Sequence, residues 1–378
     1  MEVRTIIDQV EIPTLTLQAG SVLAPVAIAY ECWGELNAAA DNVILLCHAL
    51  TGDAHAYDTL DSDNPQAGWW NPLIGPGRTF DTDRYFVVCS NVLGSCYGST
   101  GPASPYPEDG QPYRLRFPMI SIGDMVQAQY QLLQQLGIRH LVAVVGGSIG
   151  GLQALEWSIA YPDFMDRTII IAAAARLSAQ GVAIDDIARQ AIMGDPAWQQ
   201  GDYDLDQPPA TGLGIARMVA MLTYTSPTVL QHRFGRNAAT RPSSWPNFGP
   251  RFDVETYFQH QADKLVRRFD ANAYLYLTQA MDQYDAAKGA GRGSDLLAYA
   301  RIHAHVLTVG ITSDWLYPPE QVQELAQSIV AAGGTARYAA IHSPNGHDAF
   351  LQEWTQLDII IRPFLTAVPH SRVAVLEM

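Results

Sequence analysis

Leu141-Val142-Ala143-Val144-Val145-Gly146-Gly147-Ser148-Ile149-Gly150-Gly151 decides how this chain of 378 residues is read. Five apolar residues run unbroken into a serine hemmed by glycines. A second apolar segment follows over 149–161, and Pro162 stops it. An apolar run without alternation reads as a strand covered on both faces, and the segment after it reads as a helix. Between them, Gly146-Gly147-Ser148-Ile149-Gly150 fits G-x-S-x-G. In that motif the serine sits on a strand-to-helix turn too sharp for bulky neighbours. The turn lifts the hydroxyl clear of the sheet and sets the Ile149 N–H at a helix N-terminus, where it can bind an oxyanion. Taken alone, the motif also suits a glycine-rich turn without chemistry, or one that holds phosphate. The glycines at 146, 147, 150 and 151 do not fit the G-x-G-x-x-G spacing of a dinucleotide loop.

Working outward, similar apolar runs occupy 43–47, 85–89, 168–171, 305–309 and 337–341. Helical patterns lie between them. The span 121–137 opens with Ser121 and, three residues on, Asp124, a capping-box-like start. Val126, Tyr130 and Leu133 then share a face, and Gly137 ends it. Further helices are expected over 319–332 and 349–365. Alternating strands and helices predict an α/β fold with a mostly parallel sheet and helices on both faces. The strand signal fades in the middle, where helices broken at 206–209 and 241–250 are expected. The chain therefore divides into a first core part, 1–182, a helical insertion, 183–298, placed over the active end of the sheet, and a second core part, 299–378.

A serine hydroxyl at neutral pH needs an adjacent base, and the base needs an orienting carboxylate. In α/β-hydrolases these follow the serine in the order Asp or Glu, then His, each on a loop after a strand. After 305–309 comes Gly310-Ile311-Thr312-Ser313-Asp314, and after 337–341 comes His342-Ser343-Pro344-Asn345-Gly346-His347-Asp348. Asp314 is the candidate carboxylate, although a turn or helix-cap aspartate is its plainer role. His347, after the Asn345-Gly346 turn pair, is the candidate base; His342 is its rival, nearer the strand end. The second oxyanion donor is expected from the loop after 43–47, His48-Ala49-Leu50-Thr51-Gly52, at the Leu50 N–H. His303-Ala304-His305 has no third ligand nearby, so no metal is expected. The Gly68-Trp69-Trp70-Asn71 cluster reads as packing.

Composition narrows the classes. A net charge of −15 argues against nucleic acid or an anionic membrane as the main partner. The four cysteines, Cys32, Cys47, Cys89 and Cys96, form no CxxC pair, and those within apolar runs read as buried reduced thiols. No signal-peptide pattern and no apolar run of 18 residues is visible. A cytoplasmic enzyme is the expectation.

Several motifs together resemble the homoserine O-acetyltransferase family: His48-Ala49-Leu50-Thr51-Gly52, Gly68-Trp69-Trp70, Gly75-Pro76-Gly77, Phe80-Asp81-Thr82, Ser90-Asn91-Val92-Leu93-Gly94, Gly98-Ser99-Thr100-Gly101-Pro102, Gly146-Gly147-Ser148 and Gly346-His347-Asp348-Ala349-Phe350. The resemblance spans about 13–366. It implies the α/β-hydrolase fold with a helical lid, a homodimer paired through that lid, and Ser148, Asp314 and His347 as the triad. It implies small-molecule substrates, with acetyl-CoA as co-substrate rather than a bound cofactor, and ping-pong transfer to L-homoserine. It also implies that Arg217 and Asp348 contact the substrate. The residues bear on this too. Arg217 is the only charged side chain between Pro208 and Gln231, and an arginine in an apolar helix calls for an anionic partner. An ordinary ion pair is its plainer role, and a helix N-terminal carboxylate is that of Asp348. Two positions depart from the family pattern: Ile149 stands where methionine is common, and Ser95 where glycine is, in a loop expected near the site. The same triad would serve a homoserine O-succinyltransferase, a serine O-acyltransferase or an ester hydrolase.

Overall fold

The protein is described by a computed structural model covering residues 3–59, 67–239, 249, 251–288 and 293–367. Its frame is eight strands: β1 (Thr5–Ile12), β2 (Val26–Trp33), β3 (Val43–Cys47), β4 (Phe86–Ser90), β5 (Leu141–Gly147), β6 (Arg167–Ile171), β7 (His305–Ile311) and β8 (Thr335–Ile341). They lie in the order β1-β2-β4-β3-β5-β6-β7-β8. β2 pairs antiparallel with β1 and β4, and every other neighbouring pair is parallel. Along β3, Val43, Leu45 and Cys47 enter one hydrophobic core, while Ile44 and Leu46 enter another. Successive side chains point to opposite faces, so a continuously apolar strand is what a doubly covered sheet requires.

The two faces are covered differently. Helices α1 (Ile122–Gln135) and α2 (Ile149–Ala160) add Val126, Leu133, Leu152 and Trp157 to the first core. Ser121 caps α1: its side chain accepts from the Asp124 N–H, and the Asp124 carboxylate accepts from the Ser121 N–H. A buried polar chain joins the two helices: Trp157 Nε1 donates to Gln129 Oε1, and Gln129 Nε2 donates to Gln153 Oε1, both at 2.7 Å.

Between β6 and β7 the chain forms α3 (Ala179–Met193), α4 (Ala210–Tyr224), α5 (Pro227–Phe234), α6 (Asp253–Val266), α7 (Ala271–Gln283) and α8 (Asp295–Tyr299). Among the described residues this stretch adds no strand to the main sheet. Most of the break expected over 241–250 lies outside the described residues. After β7 comes α9 (Pro319–Ala331), and after β8 comes α10 (Trp354–Thr366), which places Leu357, Ile361 and Phe364 in the second core.

Two expectations are corrected. The helix expected over 349–365 is instead a short 3₁₀ turn, His347–Leu351, followed by α10. The Ala349 carbonyl is taken by the N–H groups of both Gln352 and Glu353, so the chain turns tightly before helix can propagate. The antiparallel strands β1 and β2 were not expected, because β1 is largely exposed and carries no unbroken apolar run.

The glycines of the elbow are there because of space. A Cβ on Gly146 would lie 2.1 Å from the Gly150 carbonyl oxygen, and one on Gly150 would lie 2.1 Å from that of Cys47. Backbone cannot yield to either. Gly150→Ala is therefore expected to cost about 1–3 kcal/mol of stability or more by overpacking and to displace the serine. A melting curve beside an activity assay checks this; an unchanged melting temperature would contradict it.

Candidate active site

The loops that leave the carboxyl ends of β3, β5 and β8 meet at one cavity of about 210 Å³, lined by Leu50, Thr51, Trp69, Ser148, Arg217, Tyr224, Arg268, His347 and Asp348, among others. Ser148 stands between β5 and α2 with φ 58° and ψ −126°. A non-glycine residue in such a conformation stores about 1–3 kcal/mol of strain and persists only when its surroundings hold it. Here the Ser148 N–H donates to the Ile171 carbonyl at 3.0 Å, and the Ser148 carbonyl accepts from Gly151 at 2.8 Å and Leu152 at 3.1 Å.

His347 and Asp314 are both buried, and His347 Nδ1 lies 2.7 Å from Asp314 Oδ2. The other carboxylate oxygen accepts from the N–H groups of Leu316 (2.9 Å) and Tyr317 (3.0 Å). A carboxylate only accepts, so Nδ1 carries the hydrogen and Nε2 holds the lone pair. Nε2 is buried with no hydrogen-bond partner among the described residues. Burial opposes protonation of the ring, but the charge and hydrogen bond of Asp314, with Asp348 adding, hold its pKa above the ordinary histidine value. Tyr224, Tyr317 and Phe350 surround the imidazole, each 5.7 Å between ring centroids. The rival His342 is exposed and donates its backbone N–H to the Gln356 side chain.

The Leu50 and Ile149 N–H groups have no acceptor among the described residues. Leu50 sits in a turn closed by the Gly52 N–H donating to the Ala49 carbonyl at 2.9 Å. His48 anchors that turn. Its Nδ1 lies 2.8 Å from the Ala49 carbonyl, and its Nε2 accepts from the Val92 N–H at 3.0 Å. Burial lowers the His48 pKa, consistent with a neutral ring that donates on one side and accepts on the other.

Arg217 comes from α4. Its Nε is buried without a partner, its guanidinium carbon lies 5.7 Å over the Tyr224 ring, and it makes no ion pair among the described residues. Asp348 also lines the cavity. Burial raises its pKa against the pull of His347 and Arg217. A second cavity, of about 760 Å³ between α4, α5, α6 and the loop around Asn345, shares Asp348 with the first.

Three residues were misread or missed. Trp69 does more than pack: it lines the cavity, and its Nε1 donates to the Asp53 carbonyl. Tyr224 and Arg268 reach the cavity from the helical stretch, and no local pattern marks them. Ser95 is buried and does not line the cavity. Trp70 packs as expected, stacked on Phe80 with its Nε1 bonded to the Phe350 carbonyl. His303 pairs with Asp163 at 2.7 Å. Among the described residues no group of three His, Cys, Asp or Glu is placed to hold a metal, and no helix is long and apolar enough to cross a membrane.

Similarity to known proteins follows this geometry. Residues 42–353 match the model of the alpha/beta hydrolase fold family. The homoserine O-acetyltransferase of Moorella thermoacetica is 50% identical over 351 residues, 93% of each chain. That of Carboxydothermus hydrogenoformans is 46% identical over 369 residues, 97% of each. Among solved structures, the homoserine O-acetyltransferase from Bacillus anthracis superposes with a TM-score of 0.89 at 27% identity, covering 97% of this chain and 98% of that one. Esterase E22 superposes with a TM-score of 0.87 at 29% identity, covering 96% and 100%. The chain is a member of the homoserine O-acetyltransferase family, built on the alpha/beta hydrolase fold.

Proposed function

We propose that this protein moves an acetyl group from acetyl-CoA to the hydroxyl of L-homoserine through an acyl-Ser148 intermediate, a step of methionine biosynthesis. The observation that carries the reading is the cavity itself. It sets a serine beside a buried His347–Asp314 pair, and beside a cation and a carboxylate, Arg217 and Asp348, that make no ion pair among the described residues. That last pair suits the carboxylate and ammonium of an amino acid.

In the first half-reaction His347 Nε2 takes the Ser148 proton as Oγ attacks the thioester carbonyl. The Leu50 and Ile149 N–H groups hold the oxyanion. The C–S bond breaks, and CoA leaves with the proton from His347. In the second, His347 takes the homoserine hydroxyl proton, the new alkoxide oxygen attacks the acyl-serine, and the proton returns to Ser148. Asp314 keeps the imidazole in the productive tautomer and stabilises its cation. Acetyl-CoA is a co-substrate, and the chemistry asks for no resident cofactor.

We read the helices within 183–298 as a lid, the flanking segments 1–182 and 299–378 as one core, and the lid as limiting the water that would otherwise hydrolyse the acyl-enzyme. Ile187 on α3 and Ile215 and Leu222 on α4 are exposed, and their burial by a second copy would suit a homodimer paired through the lid. Leu222→Asp is then expected to halve the particle mass in light scattering; an unchanged mass would argue against this interface. Four free cysteines are in keeping with a cytoplasmic setting.

Arg217→Ala is expected to lower kcat/KM for homoserine roughly a hundredfold, about 3 kcal/mol for one lost partner of a buried charge contact. Acylation by acetyl-CoA alone should stay near wild type. Equal loss in both half-reactions would remove Arg217 from the acceptor site.

The deciding assay measures CoA release with acetyl- or succinyl-CoA crossed with homoserine or serine. Fastest release with acetyl-CoA and homoserine is expected. Another best pair would give a homoserine O-succinyltransferase or a serine O-acyltransferase with the same triad. The likeness to esterase E22 favours one second reading, ester hydrolysis with water as acceptor; CoA release unaffected by amino acid would select it.

A further inference from the structure

Arg268, between α6 and α7, lines the cavity and hydrogen-bonds from the helical stretch to the turn that carries Leu50. Its Nη1 donates to the Thr51 carbonyl at 2.7 Å and to the Tyr97 hydroxyl, and the side chain borders the cavity that holds Ser148 and His347. The turn is therefore held at three points. Within itself, Gly52 bonds to Ala49. From the core, His48 ties the Ala49 carbonyl to the Val92 N–H. From the helices, Arg268 takes the Thr51 carbonyl.

That third hold has a specific geometric effect. In a turn closed between residues 49 and 52, the closing bond joins two rigid peptide planes, one holding the Ala49 carbonyl and the Leu50 N–H, the other the Thr51 carbonyl and the Gly52 N–H. The Leu50 N–H has no acceptor among the described residues, and its direction is that of the plane it shares with the Ala49 carbonyl. Gripping the Thr51 carbonyl orients the Gly52 N–H in the same plane, and through the closing bond it orients the Ala49 carbonyl and the Leu50 N–H that points opposite it. A guanidinium is suited to this because its planar fork fixes direction, and it bonds a carbonyl and a hydroxyl at once.

We propose that Arg268 is a positioning residue for the reaction: it clamps the Ala49–Gly52 turn so that the Leu50 N–H stays aimed at the forming oxyanion. The inference rests on the acyl-Ser148 reading above. It gives the helical stretch a part in the chemistry beyond excluding water, because displacing Arg268 would slacken the oxyanion hole. An oxyanion donor is worth about 10²–10³ in rate, and a slack donor forfeits part of that.

The test is pre-steady-state acylation of Ser148 by two donors, acetyl-CoA and p-nitrophenyl acetate, the second having no nucleotide to bind. Arg268→Ala should slow acylation roughly tenfold to a hundredfold, by the same factor for both donors and with little change in half-saturation. Arg268→Lys, which keeps one cationic donor for the Thr51 carbonyl, should recover much of the loss, with melting temperatures showing that the variants are folded. If p-nitrophenyl acetate reacts at the wild-type rate while the KM for acetyl-CoA rises, Arg268 only grips the donor and the clamp is overturned. Unchanged rates with both donors overturn it too. Should Arg268→Ala not fold, Tyr97→Phe removes one anchor of the guanidinium and is expected to slow both donors by a smaller common factor; no slowing overturns the clamp. A wild-type enzyme that forms no acyl-Ser148 sinks the underlying reading, whereas an acylating wild type with an unaffected Arg268→Ala sinks the clamp alone.

Discussion

Ser148→Ala is expected to reduce kcat by about 10⁶, the scale on which loss of a serine nucleophile abolishes a triad enzyme, and to leave the protein folded. The size follows from the arrangement. Without Oγ there is no atom to carry the acyl group, and neither His347 nor the two N–H groups can replace it. The residual rate would come from direct attack of homoserine on the thioester, helped by binding and the oxyanion donors. The strained φ of 58° at this position adds a corollary. Alanine pays the same backbone strain as serine, so the melting temperature should barely move, whereas Ser148→Gly should raise it slightly by relieving the strain. CoA release and melting curves on the two variants check both parts. A variant lacking the hydroxyl that keeps a substantial fraction of wild-type turnover would show that the acyl group travels by another route.

The second large effect is expected at Asp314. Asp314→Asn keeps the shape of the side chain but removes the charge, and the amide can present the wrong partner to Nδ1. A loss of about 10⁴ in kcat is expected. The pH profile carries a sharper signature. Catalysis needs the neutral imidazole, so activity rises as pH climbs through the His347 pKa. In the native protein that pKa lies above the ordinary value because the charge and hydrogen bond of Asp314 outweigh burial. The acid limb of kcat/KM should therefore have its midpoint above about 6.5. With the charge gone, burial prevails and the limb should move to lower pH. A limb that stays put would mean another group controls it.

What could be read from the chain, and what could not, follows the range of the forces. Runs such as 43–47 and 141–145 are strands for local reasons, because every side chain is apolar and both faces are covered. The elbow is legible as a motif, but only Gly146 is required by a contact four residues away, with Gly150; Gly147, Gly150 and Gly151 are required by Phe350, Cys47 and Ala173 from distant segments. Asp314 and His347 stand just past strand ends, where sequence order along a parallel sheet already brings loops together; His347 lines one cavity with Ser148, and Asp314 bonds to His347. Trp69, Tyr224 and Arg268 reach the same cavity through packing between distant segments. Arg268 meets Thr51 across 217 positions, and no periodicity reports such a meeting. Residues 349–351 were read as the start of a helix, because the double use of the Ala349 carbonyl that ends the 3₁₀ turn is invisible before the chain is folded. Arg217 was legible as an anomaly, a lone charge in an apolar helix, and its buried unpartnered Nε keeps the same question open for an anion.

The central claim is that Ser148 holds the acyl group between donor and acceptor. Its most direct measurement is intact mass and peptide mapping of the protein quenched after mixing with acetyl-CoA alone, then again after homoserine is added. The account predicts one added acetyl group, mapped to Ser148, that disappears with formation of O-acetylhomoserine. An enzyme that turns over fully yet never carries the acetyl group, or carries it on another residue, would contradict it.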